Sequence, residues 1–142
     1  MYEVLKMTSN RKLTFIFLAI GCILLIIAFV VGIADNPPGI VLFYIAVIAL
    51  ILAFVHRWRK VKNFLFLAVA SIIGIVIFAI LHNLFYALGK LANDIPLLRQ
   101  LLNFLDALSF LIAIMLCPMG LLIGIVGSIV LYFKNKKRPN KN

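Results

Sequence analysis

Acidic residues are almost missing from this chain. Glu3, Asp35, Asp94 and Asp106 are the four, against 14 lysines and arginines in 142 residues. Cysteine is scarce too. Cys22 and Cys117 form no C-x-x-C pair and no zinc spacing with histidine, which leaves no disulfide framework, redox pair or metal finger to build on. His56 and His82 are the only histidines and make no H-E-x-x-H motif. The N-x-S/T sequon is absent. No lipid anchor is expected, since Tyr2 stands where myristoylation needs glycine and no CaaX box is present. No cofactor is expected either, because no glycine-rich phosphate loop or ligand cluster occurs.

Apolar residues, by contrast, make up 65% of the chain. A water-soluble domain of this size is near half apolar, because a polar shell must cover its core. The excess calls for an apolar solvent. Four stretches supply it: residues 13–33, 40–55, 64–81 and 108–133. The first, at about 1.5 Å per residue, reaches roughly 31 Å, the thickness of a hydrocarbon core. The fold class is therefore all-α: an integral membrane four-helix bundle within a single transmembrane domain spanning residues 1–142.

Turn chemistry separates the stretches. Asp35, Asn36, Pro37, Pro38 and Gly39 stop one helix and start the next, which predicts a tight antiparallel hairpin. Trp58 follows the second stretch as an interfacial anchor. Pro118 lies inside the fourth, where its missing N–H and its ring predict a kink near residues 114–118. Residues 82–107 carry Lys90, Asp94, Arg99 and Asp106, too many charges for a fifth span. They are still patterned. Leu97, Leu98, Leu101, Phe104, Leu105 and Leu108 share one helical face, with Arg99, Asn103 and Asp106 opposite. This predicts an extra amphipathic helix between the third and fourth spans, either on the outer membrane surface or leading into the fourth span. Asp94 and Pro96 mark its start, and Gly89 a stop for the helix before it.

The net charge of +10 resembles a nucleic-acid footprint only in total. The cations stand in short clusters between uncharged runs, the pattern of membrane flanks, so no nucleic-acid partner is expected. Lys6, Arg11 and Lys12 precede the first span; Arg57, Arg59, Lys60 and Lys62 follow the second. Lys134, Lys136, Lys137, Arg138 and Lys141 follow the fourth. With four spans, these 12 of the 14 cations share one face. Lysine and arginine are retained on the cytoplasmic side, so a multi-pass cell-membrane protein with both termini cytoplasmic is expected. The basic tail, 134–142, is expected to lie on the anionic cytoplasmic leaflet. The first apolar run is too long for the core of a cleaved secretory signal and is expected to remain as a span.

No charged residue or histidine falls inside the four stretches, which argues against proton- or ion-coupled transport. In length and span number the chain resembles the small multidrug transporters. Their function depends on an acidic residue in the first helix, and residues 13–33 contain none. His82, Asn83 and Tyr86 form a candidate outer-face ligand contact, and with Asp106 they are the only polar group that membrane-enzyme chemistry would have to use. The positive pattern is in the fourth span: Gly120, Gly124 and Ser128 recur every fourth residue, with Gly127 beside them, and Ala70 and Gly74 make a shorter strip on the third. Small residues let helices approach closely where lipid offers no hydrophobic drive. They are the candidate helix-packing interface, within the chain or toward a homo-oligomer or another membrane protein. The pattern points to a non-enzymatic accessory, immunity or assembly factor. The alternative is a small oligomeric transporter or channel for an apolar or neutral solute.

Overall fold

The computed structural model describes residues 2–33, 36–92 and 94–136, with side chains from residue 11 onward. The chain is all-α, with no strand among the described residues. Helix α1 covers Tyr2–Val31, α2 Pro37–Val55, α3 Val61–Leu91, α4 Pro96–Leu111 and α5 Cys117–Lys136. A single π-helical turn, Ile112–Leu116, joins α4 to α5. The last three pieces run as one helix, Pro96–Lys136, so four helices are long and apolar enough to cross a membrane.

The chain forms two compact units, Met1–Phe64 with Val126–Asn142, and Leu65–Ile125. In the first, α1 and α2 make the hairpin that the turn residues predict. Gly32 ends α1: its N–H donates to the Ala28 carbonyl at 3.0 Å, and its φ of +95° is open to glycine without strain. Asn36 Nδ2 donates to the freed Val31 carbonyl at 3.0 Å. Pro37 then starts α2 at a position where no N–H is needed. Contacts step in opposite directions along the two helices, with Gly21 against Leu50, Phe29 edge-on to Phe43 and Gly39 against Gly32. The inner face of α2 (Gly39, Phe43, Ala46 and Ala53) is buried at helical spacing. In the same unit Trp58 meets Phe64 edge-on at 5.3 Å.

In the second unit α3 pairs antiparallel with α4 and the first part of α5. Gly74 lies against Cys117 and Ser71 against Gly120, while farther along Gly89 lies against Leu102 and Asn103. Gly89 does not stop α3, contrary to the sequence reading; the helix continues to Leu91 because the glycine is a point of close approach, buried under α4.

The helices overrun the apolar stretches. α1 starts eleven residues before the stretch 13–33, because a helix needs backbone partners rather than apolar side chains and Lys6, Arg11 and Lys12 are good helix formers. The extra amphipathic helix within residues 82–107 starts at Pro96, as expected, and leads into the fourth span. α3 takes the earlier part of that segment up to Leu91. His82 and Asp106 lie outside the four apolar stretches yet inside two of the membrane-length helices. The distortion predicted ahead of Pro118 takes the form of the π turn: the Cys117 N–H reaches back five residues to the Ile112 carbonyl.

Candidate functional site

Residues 82 and 106 lie equally far on either side of Asp94 in the α3–α4 turn. An antiparallel hairpin therefore sets them side by side. His82 Nδ1 and Asp106 Oδ1 are 2.6 Å apart. Both atoms are sealed from solvent and lack a hydrogen-bond partner, although the side chains as wholes are 33% and 20% exposed. The contact is a close ion-pair approach between two helices rather than an aligned hydrogen bond. Phe110, one turn on from Asp106, covers the imidazole at 5.2 Å between ring centroids. The pair brings a side chain of α3 against one of α4.

The other residues of the expected outer-face contact do not converge on it. Asn83 turns its Nδ2 back to the Ala79 carbonyl at 2.9 Å. Tyr86 is exposed and carries the Lys90 ammonium over its ring at 4.3 Å. Both are local contacts within α3, set by helical spacing. His82 is thus the only member of that trio joined to another helix. Asp106, read from sequence only as part of the polar face of α4, supplies its partner.

The small-residue strip is largely occupied by the chain itself. Gly120 and Gly124 are buried, and Gly127 and Ser128 half-buried. A Cβ on Gly120 would stand 2.5 Å from Ser71 Oγ, one on Gly74 would stand 2.8 Å from Cys117 Sγ, and one on Gly127 would enter the Phe64 ring. Ala70 is exposed instead, because the inner face of α3 runs through Ala68 and Ser71. Of the strip residues, Ala70 alone is turned fully outward.

Cys22 is exposed and Cys117 buried, both as free thiols. His56 is held at the end of α2 by a hydrogen bond from Nδ1 to the Leu52 carbonyl, beside Phe17 at 5.9 Å. Among the described residues no three of His, Cys, Asp and Glu gather as metal ligands.

No protein family, curated protein or solved structure matches this chain. Its own geometry is what bears on function. The four apolar helices make it a membrane protein.

Proposed function

We propose that the chain is a non-enzymatic, multi-pass protein of the cell membrane: an accessory, immunity or assembly factor that acts by packing its helices against another membrane protein or a second copy of itself. One observation carries this reading. The contact of His82 with Asp106 joins one helix to another, with both facing atoms sealed from solvent. Polar chemistry is spent on cohesion, and what the helices present outward is apolar: Phe15 is 71% and Phe66 74% exposed. Recognition would then be lateral, through side-chain packing in lipid.

The cation clusters ahead of the first apolar stretch, after the second and after the fourth support a cytoplasmic position for both termini. The α3–α4 turn is then on the outer side, and the basic tail lies along anionic cytoplasmic lipid. Ala70→Leu tests the packing reading: it adds bulk to the exposed side of α3 and leaves the inner face alone. Self-association in liposomes, counted by single-molecule photobleaching, and capture of a membrane partner from native membranes should both be measured. Loss of an association that the wild type shows, with helical content unchanged, is the expected result. A wild type that is monomeric in bilayers and captures nothing ends the reading.

A transporter or channel is the second reading, favoured by the ionisable pair inside membrane-length helices and the π turn beside it. Solute flux in liposomes that His82→Gln alters would decide for it.

A further inference from the structure

Helix α4 is amphipathic, and most of its apolar side is turned outward. In a water-soluble protein the apolar side of such a helix packs inward. Here Leu102 and Ser109 are the buried residues of α4, Asp106 meets His82 on α3, and the exposed Asn103 reaches Gly89. The apolar line faces out: Leu97 is 80% exposed, Leu101 53%, Phe104 63% and Leu108 42%. No loop intervenes, so this line runs through the π turn into the exposed Leu122 and Ile125 of α5. A surface that continues the lipid-facing side of a span has the same solvent as that span.

The length of α3 agrees. It carries no Lys, Arg, Asp or Glu between Lys62 and Lys90, a distance of about 41 Å at 1.5 Å per residue. The hydrocarbon core is about 30 Å thick, and helices tilt by up to about 40°, with lysines reaching to the surface. A tilt near that limit brings the whole uncharged length inside and leaves Lys90, Asp94 and Arg99 at the headgroups.

We propose that the hairpin of residues 82–91 with α4 is embedded in the outer leaflet, its apolar face covered by lipid acyl chains. The His82–Asp106 pair then lies below the headgroup layer, where each partner is the other's replacement for water. The proposal rests on the four-span reading above. It differs from an amphipathic helix laid flat on the surface, which would turn Asp106 to water and break the pair.

Single cysteines in a Cys22→Ala/Cys117→Ala background test it. Phe104→Cys and Leu108→Cys, labelled with a fluorophore and reconstituted in phosphatidylcholine vesicles, should be quenched by nitroxide-bearing acyl chains. Iodide should reach them several-fold less than it reaches a label at Asp94→Cys. Equal iodide access at all three positions overturns the proposal. So does shielding from both quenchers together with intermolecular crosslinking at Phe104→Cys, which would mean that protein covers the face. In intact cells an impermeant maleimide should reach Asp94→Cys and not Arg57→Cys. Labelling of both refutes the four-span reading, and the proposal with it; iodide access at Phe104→Cys with the sidedness intact refutes the embedding alone.

Discussion

Replacing Gly39 with alanine should loosen the α1–α2 hairpin more than any other single methyl group added to it. Gly39 is buried in the first turn of α2, and a Cβ there would stand 2.8 Å from the carbonyl carbon of Gly32 and closer still to its oxygen. Carbon atoms rest at about 3.5–4.0 Å, so the helices would have to part by roughly 1 Å. The obstacle is backbone, which cannot turn aside as a side chain can. Overpacking costs about 1–3 kcal/mol, and the rigid neighbour puts this site at the upper end. Alanine returns at most about 1 kcal/mol of helix propensity. The net loss is about 2 kcal/mol, roughly 30-fold in the unfolding constant. Gly21→Ala is the control. Its Cβ meets the Leu50 side chain at 2.7 Å, which can change rotamer, so propensity and crowding should nearly cancel. Reversible unfolding in mixed micelles, followed through Trp58 fluorescence and helical circular dichroism, measures both. A Gly39→Ala protein as stable as wild type, or a Gly21→Ala protein equally damaged, would refute the reasoning.

The remaining predictions concern the other special positions. Gly32→Ala meets nothing within 4 Å, so its cost is conformational alone, about 1–2 kcal/mol, and Gly32→Asn should lose less because asparagine tolerates positive φ; the same unfolding assay ranks them. His82→Gln and Asp106→Asn should each destabilise by about 1–3 kcal/mol by removing one side of the 2.6 Å contact between α3 and α4. A double-mutant cycle should show coupling above about 0.5 kcal/mol, and strict additivity would deny the pair any role in cohesion. Gly74→Ala should be destabilising on its own and substantially rescued by Cys117→Ala, which removes the sulfur 2.8 Å from the new methyl group. Failure of the second change to restore stability would mean that the crowding lies elsewhere.

Sequence by itself determined the solvent, the class of structure and the place of the first turn. Long uncharged apolar runs are affordable only in lipid, and the asparagine, two prolines and glycine at 36–39 are local backbone constraints, legible without knowing any neighbour. Both faces of α4 could be read from its periodicity, since residues three and four apart share a side whatever they touch. Which face turns inward was a tertiary decision. It depends on the rotation of α4 about its axis against α3, which periodicity alone leaves open. The end of α3 was hidden too, because hydropathy stops at the first polar residue whereas the helix runs on to Leu91, while Pro96 marked the start of α4 in advance. His82 could be named as a site residue from its position, but its contact with Asp106 joins residues from two different helices. Only the register of α3 against α4 brings them together, and the same register turns Ala70 outward while Gly74 closes on Cys117.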